Sequence, residues 1–369
     1  MNTNEKFMSL CIDLAEKSGG NVAPNPKVAA LVVKNGKIVG KGYHRYCGGP
    51  HAEVYALKQA GTDARGADLY VNLEPCCHTD KRTPPCVPQI IGAGIKKVVA
   101  AMPDPNVKVN CKGFSVLRKA GVECVVGVMR ENAWELNKIY IKNITKKLPF
   151  VYLKTAMSLD GKIATFTNNS KWITSDQSRD IVHKLRSRVD AVLVGINTVL
   201  VDNPWITAHS IGENPVRVIV DPHLKCVKHY NTLNIFNHEA KTVIITKSTG
   251  NPNLNNAIRL SRREGVAIIP VKPCKSNKNR INFKDIVKKL FEINVNTLLI
   301  EGGGETNAAA LEDNVVDEMW TFIAPKIVGG RNAKTPVEGV GVSKIQYAPI
   351  VKFTSIERIG QDILIKSRF

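Results

Sequence analysis

Apolar residues recur along this chain at two spacings in turn, one of helices and one of strands. Phe7, Leu10, Cys11 and Leu14 repeat at helical spacing, so a first helix is predicted over residues 6–18. Two β-rich runs, 28–33 and 38–43, flank Lys34-Asn35-Gly36-Lys37. Asn-Gly between such runs predicts a hairpin, because its two-residue turn needs positive φ at both central positions. His44 stands at the end of the second strand. A helix from His51 to near Gly61 is predicted next, then a strand over 69–73 leading into Glu74-Pro75-Cys76. A short helix over 87–93, a strand over 98–101, a helix over 114–120 and a strand over 124–126 complete this half. Strands alternating with helices imply a layered α/β domain whose sheet is largely parallel after the hairpin.

Residues 131–147 predict one amphipathic helix running into Lys146-Lys147-Leu148-Pro149, and the domain boundary is expected there. The domains are therefore residues 1–147 and 148–369. In the second, strands are predicted at 150–154, 190–195, 216–220, 242–246, 266–271, 297–300 and 319–324. Helices are predicted over 176–188, 253–264, 283–293 and 305–311. This half is also α/β, and no repeat relates it to the first.

At 369 residues the chain can fill two cores, and its nine cysteines are scattered. The N-terminus has no signal-type apolar segment, so a reducing cytoplasm is expected, with metal-bound or free thiols. No run of about eighteen apolar residues predicts a membrane span. The formal net charge is +20. Such a charge can mark a nucleic-acid partner, but Lys and Arg are spread from Lys6 to Arg368, with a block only at Lys275–Arg280. The reading adopted is a Lys-rich surface with a site for an anionic small molecule, and no nucleic acid.

Candidate chemistry gathers in His51-Ala52-Glu53 and in the segment from Pro75-Cys76-Cys77-His78 to Pro84-Pro85-Cys86. One His and two Cys can hold a catalytic zinc with its fourth position open to water. Glu53 is left as a carboxylate to move protons. His-x-Glu followed by Pro-Cys and a further Cys is the signature of zinc deaminases of nucleobases. Residues two apart point roughly 200° away from each other on a helix. His51 and Glu53 can therefore serve one metal only at a helix's first turn. In the second half, Glu301-Gly302-Gly303-Gly304-Glu305-Thr306 follows a strand and opens a helix. Such a turn suits either a phosphate or plain tight packing. Thr174 or Ser175 can cap the helix after Trp172-Ile173. Asn197-Thr198-Val199 and Asp202-Asn203-Pro204 lie beyond a strand's C-terminal end, where open α/β sheets bind ligands.

The whole chain resembles the bifunctional deaminase–reductase family of riboflavin biosynthesis. In the first half the resemblance is carried by Pro24-Asn25-Pro26, Gly42-Tyr43-His44, Pro50-His51-Ala52-Glu53, Leu73-Glu74-Pro75-Cys76, Arg82-Thr83-Pro84-Pro85-Cys86 and Asp104-Pro105-Asn106. In the second it is carried by Lys154 to Gly161, Ser170-Lys171-Trp172-Ile173-Thr174, Leu185-Arg186, Asp202-Asn203-Pro204 and Glu301 to Gly304. It implies a cytidine-deaminase-like three-layer α/β/α domain followed by a dihydrofolate-reductase-like α/β domain. It implies zinc-dependent loss of the 2-amino group from 2,5-diamino-6-ribosylamino-4(3H)-pyrimidinone 5′-phosphate, then NADPH-dependent reduction of the ribosyl group to ribityl. His51, Cys76 and Cys86 would bind zinc, one ion per chain, with Glu53 as proton shuttle. Asn25, His44, His78, Arg82, Asp104 and Asn106 would line the first pocket. Ser158, Trp172, Thr174, Asn197, Thr198, Glu301, Gly302, Gly303 and Gly304 would hold NADPH. Lys154, Ser170, Arg186, Asp202, His209 and Glu301 would surround the sugar phosphate, and a homodimer is expected. The chain departs from the family pattern in two places. Nine residues separate Cys76 from Cys86, one more than the family loop has, and Cys77 adds a thiol beside the first ligand. His209 stands where an Arg is expected, with Arg217 or a lysine as the alternative partner of the phosphate. A nucleic-acid deaminase is the competing reading, and it leaves the second half unexplained.

Overall fold

In the computed structural model, which describes residues 1–19, 22–79, 83–248, 257, 261–262, 265–274 and 280–369, the Asn-Gly hairpin forms as the sequence predicts. Asn35 and Gly36 take positive φ (51° and 73°) between β1 (Ala29–Lys34) and β2 (Lys37–Tyr43). β3 (Asp68–Val71), β4 (Lys97–Ala100) and β5 (Glu123–Val126) extend the sheet in the order β2-β1-β3-β4-β5. β1 is antiparallel to both neighbours, and β3, β4 and β5 are parallel. Alternate strand residues serve opposite layers, as the two-residue period requires. Ala30, Val32, Leu69, Val71 and Val98 pack under α2 (Ala52–Ala60), α3 (Cys86–Gly92) and α4 (Lys112–Lys119). Ala29, Leu31, Val33, Tyr70 and Val99 pack against α1 (Thr3–Glu16) on the other face. Two helices, α5 (Arg130–Leu136) and α6 (Lys138–Lys146), replace the single helix predicted over 131–147. The interruption is Asn137 (φ −112°, ψ 16°), whose carboxamide bonds both backbone groups of Lys27.

The chain divides into two units, Met1–Lys147 and Leu148–Phe369. The second is built on nine strands among the described residues: β6 (Phe150–Ser158), β7 (Ala191–Gly195), β8 (Val216–Val220), β9 (Thr242–Lys247), β10 (Val266–Val271), β11 (Thr297–Ile300), β12 (Glu318–Ala324), β13 (Lys352–Ile359) and β14 (Asp362–Arg368). Their order is β10-β9-β8-β7-β11-β6-β12-β14-β13. The run from β10 to β12 is parallel, and β14 and β13 close it antiparallel. The chain travels outward from β7 through β10, then returns to insert β11 between β7 and β6. That reversal opens a crevice at the strands' C-terminal ends. α7 (Asp176–Arg186), α8 (Ile196–Asp202), α9 (Phe283–Glu292) and α10 (Gly304–Glu312) complete the described helices named here. The segment 196–202, for which the sequence reading assigns no element, is helical. The β13–β14 hairpin has no counterpart in the sequence reading. Its buried Asp362 accepts hydrogen bonds from Ser175 N, Ser175 Oγ and Ser178 Oγ at 2.6–2.8 Å, fixing the N-cap of α7. Most of the helix predicted over 253–264 and most of the Lys275–Arg280 block lie outside the described residues.

Candidate active sites

Two helix N-termini and one strand-end loop build the first site. α2 starts at Ala52 with His51 as N-cap, so His51 and Glu53 lie on the first turn. α3 starts at Cys86 with Pro85 as N-cap. Cys76 follows β3, and its carbonyl accepts from Cys86 N (3.0 Å) and Val87 N (3.2 Å). His51 Nδ1 lies 3.5 Å from Cys76 Sγ and 3.2 Å from Cys86 Sγ, and Cys86 N is 3.4 Å from Cys76 Sγ. The three donor atoms lie within 4.8 Å of one another. A tetrahedral zinc with bonds of about 2.0–2.3 Å fits such a triangle. Two helix N-termini also favour the thiolate charges. Among the described residues Cys77 is not part of the cluster.

The rest of the site orients this set. Thr83 Oγ1 is 3.1 Å from His51 Nε2, which leaves Nδ1 for the metal. His44 Nδ1 lies 3.0 Å from Pro50 O, and its Nε2 lies 3.0 Å from Asn25 Nδ2. His44 therefore fixes the backbone that enters His51. Burial pushes its pKa down, and the nearby His51 adds to the effect. α2 can lie this close to β2 because a side chain at Gly42 would meet Ala52 O at 2.4 Å. Glu53 is 3% exposed, and its Oε2 has no hydrogen-bond partner. Burial, then the charge of Cys76, raises its pKa, as suits a carboxylate that must take up a proton. Asp104 is also buried; desolvation pushes it up to about 6, against bonds from Asn106 N and Tyr140. Asn106 and His78 are half-buried. Arg82 lies outside the described residues.

Sequence reasoning missed Glu74 as an organising residue. Its carboxylate accepts from the backbone N–H groups of Asp104 (3.1 Å), Cys111 (2.9 Å), Gly113 (2.9 Å) and Phe114 (3.4 Å). It ties the Asp104–Asn106 loop and the start of α4 to the segment carrying Cys76. The four backbone partners lie 30 to 40 residues away in sequence.

The second site is a cleft of about 590 Å³ at the crevice between β7 and β11. Asn197, Thr198 and Glu301 to Gly304 line it, and Ser170 and Asp202 share it. Gly303 is the N-cap of α10, so free backbone N–H groups face the cleft. Gly304 is small for packing reasons too, since a Cβ there would meet Thr335 O at 2.6 Å. The tight-packing reading of this turn therefore holds. Beside it, Arg186 grips Glu301 through Nε (2.6 Å) and Nη2 (3.0 Å), and Lys154 Nζ lies 3.6 Å from Glu301. Burial alone would raise the Glu301 carboxyl, but the Arg186 and Lys154 charges hold it at about 2. Two cations thus share one carboxylate, an excess of one positive charge within this triad.

Other expected residues stand apart from the cleft lining. Ser158 is fully buried; its hydroxyl donates to Asp160 (2.5 Å) and accepts from Lys162 N (2.9 Å), which orders a turn. Trp172 is 63% exposed, with the Arg179 guanidinium 4.3 Å over its ring. Thr174 does not cap α7; Ser175 does, while Thr174 O accepts from Arg179. His209 packs against His183, ring centroids 4.2 Å apart and planes tilted by 58°, and lines a separate cavity of about 400 Å³ with Trp205, Thr207 and Glu239. Arg217 is corrected as a phosphate partner. It is fully buried, and its guanidinium bonds the carbonyls of Asn234, Ile235 and Asn237 and Asn237 Oδ1.

Comparison with known proteins decides the family. Residues 1–102 match the cytidine and deoxycytidylate deaminase zinc-binding region, and residues 149–365 match the RibD C-terminal domain. The riboflavin biosynthesis protein RibD of Aquifex aeolicus is 43% identical over 98% of this chain and 97% of its own. The chain belongs to the RibD family. Escherichia coli RibD is 33% identical over 98% of each chain. A solved diaminohydroxyphosphoribosylaminopyrimidine deaminase/5-amino-6-(5-phosphoribosylamino)uracil reductase from Thermotoga maritima superimposes with a TM-score of 0.84 at 37% identity, covering 99% of this chain and 98% of its own. Acinetobacter baumannii RibD gives 0.82 at 31% identity, covering 99% and 98%. The chain is a bifunctional deaminase and reductase of riboflavin biosynthesis, with a zinc-binding deaminase half and an NADPH-dependent reductase half.

Proposed function

We propose that the first unit deaminates 2,5-diamino-6-ribosylamino-4(3H)-pyrimidinone 5′-phosphate and that the second reduces the ribosyl group of the product to ribityl. The observation that carries the first step is the close His51, Cys76 and Cys86 donor set beside a buried, unpartnered Glu53 oxygen. Zinc, when bound by these three residues, supplies activation of a water for attack on a ring carbon. Glu53 would carry a proton from the attacking water to the departing amine. Asn25, His44, His78, Arg82, Asp104 and Asn106 hold the pyrimidine. In the second unit, the Glu301–Gly304 turn with Asn197 and Thr198 cradles the NADPH phosphates. Lys154, Arg186 and Glu301 meet the substrate's sugar phosphate, with Ser170 and Asp202 on the same cleft. The uncompensated positive charge at Glu301 supports an anionic ligand there.

One incubation tests both steps. The full chain, the diaminopyrimidinone phosphate and NADPH should release ammonia and lose absorbance near ~340 nm, the reduced nicotinamide band. Glu53→Gln should keep about one zinc per chain, lose deamination by about a hundredfold or more, and still reduce the deaminated intermediate. A zinc-free variant would put Glu53 in the coordination shell.

The same reading extends to a homodimer in the cytoplasm. β13 is the edge of the nine-stranded sheet, and Phe353, Ile356 and Ile363 on the β13–β14 hairpin are 42–63% exposed. An apolar sheet edge of this kind supports pairing with a second copy. Light scattering should give twice the 40.5 kDa chain mass. Scattered thiols support a reducing compartment. No helix among the described residues is long and apolar enough to cross a membrane.

A further inference from the structure

Asp104, read from the sequence as a pocket residue of the deaminase half, is buried at 6% exposure. Its Oδ1 already takes two donors, Asn106 N at 2.9 Å and the Tyr140 hydroxyl at 2.9 Å. Its backbone N–H is held by Glu74 at 3.1 Å. None of these donors engages Oδ2. Tyr140 lies on α6, one turn after the Asn137 interruption. Asn137 is 2% exposed and clasps Lys27 through N–H (2.8 Å) and C=O (3.0 Å). Asn72 bonds the same Lys27 carbonyl at 2.8 Å and takes Ala29 N–H at 2.8 Å. Lys27 follows Pro24-Asn25-Pro26, so the start of α6 is anchored to the Asn25 loop. Residues three apart share a helix face, so Asn137 and Tyr140 together reach the two loops that carry Asn25 and Asp104.

We propose that Tyr140 is a positioning residue of the deaminase pocket: its hydroxyl occupies Asp104 Oδ1 and so turns Oδ2 to the substrate. The inference rests on the reading of Asp104 as a substrate contact given above. Tyr140 touches no reacting atom and acts through Asp104. A hydroxyl bonded to a buried carboxylate fixes one rotamer of that carboxylate. Without it, Asp104 keeps only the Asn106 N–H, which shares its own loop and cannot fix the loop against α6. Because Asn137 secures the helix independently, removing the hydroxyl should loosen Asp104 without unseating α6.

The test is made in the full-length zinc-loaded enzyme with Tyr140→Phe, Asp104→Asn and the double variant. Tyr140→Phe keeps the ring and its packing against the core and deletes only the hydroxyl. The expected result is a deaminase KM raised about three- to tenfold, the scale of the net contribution of one ordinary hydrogen bond, with kcat within about twofold of wild type. Zinc content and the reductase activity of the same chain stay unchanged. Asp104→Asn loses more, and the double variant is no worse than Asp104→Asn, because the two groups act as one. An unchanged KM in Tyr140→Phe beside an impaired Asp104→Asn overturns the inference and leaves the reading of Asp104 intact. A lowered melting temperature or kcat with unchanged KM assigns Tyr140 a merely structural part and also overturns it. Wild-type kinetics in all three variants overturn both the inference and the reading of Asp104 on which it rests.

Discussion

A His in the place of an expected Arg should make the reductase half responsive to pH if it meets the substrate's phosphate, and its surroundings set the window. Burial and then the Arg186 charge lower the His209 pKa, and Glu239 opposes them. His183, packed against it, is held at about 4 by burial, Arg186 and His209. The unliganded ring is therefore neutral at pH 7. A phosphate dianion bound beside it would raise its pKa. Affinity coupled to that protonation is full below the free-state pKa and is lost as pH rises toward the bound-state pKa. The loss should thus begin below ~6.5, the ordinary His value, and not at it. KM for the deaminated intermediate, measured against pH, should rise by up to about tenfold per pH unit in that window. His209→Arg should flatten the profile, after allowance for the phosphate's own ionisation near ~6. Superimposable profiles would remove His209 from the site. The metal ligands pose a sharper question. Cys86 stands at the first turn of α3 with its N–H on Cys76 Sγ, so Cys86→Ser should strip zinc and Cys77→Ser should keep it, as metal analysis will read. The identity of these donors was legible in the sequence, because few residue types bind zinc. The environment of His209 was not, because the ring contact with His183 joins residues from separate elements.

At the scale of elements, strands and helices with strong periodicity were legible, and the Asn-Gly hairpin formed as its turn chemistry requires. Three features were not. Asn137 interrupts a helix for the sake of a clasp on Lys27, 110 residues away, which no local pattern encodes. The β13–β14 hairpin is built from Lys352–Ile359 and Asp362–Arg368; β13 has only exposed and half-buried positions, and the apolar run of β14 is limited to Ile363-Leu364-Ile365. Glu74 read as part of a motif, yet it acts as a peg for four backbone donors. Its removal tests that role. Glu74→Ala would leave buried N–H groups of Asp104, Gly113 and Phe114 without their acceptor. One such group costs about 1–3 kcal/mol, so the deaminase unit should lose roughly 3 kcal/mol or more in all. Calorimetry should show an earlier transition for that unit, with the reductase transition unmoved. A variant that melts as wild type would show that water replaces the carboxylate at no cost.

At the scale of the whole molecule, two α/β domains were legible because the strand–helix alternation restarts after Leu148-Pro149. The +20 charge, read alone, pointed toward nucleic acid. In the structure part of it is spent on an ion-pair cluster: Lys154 and Arg186 converge on Glu301. Each unit also owns its apolar core. The clusters under β1, β3 and β4 draw only on residues up to Ile141, and those around β6 to β12 begin at Leu148. Cores of this independence predict that the activities survive separation between Lys147 and Leu148. Residues 1–147, expressed alone, should bind zinc and release ammonia from the diaminopyrimidinone phosphate without NADPH. Residues 148–369 should oxidise NADPH only when given the deaminated intermediate. Mixing the halves should restore the two-step reaction, at a rate set by free diffusion of the intermediate. Soluble, folded halves that each lack activity would refute the assignment of one complete site to each unit. Insoluble halves would instead show that neither core suffices without its neighbour, while the chemistry measured on the full chain stood as before.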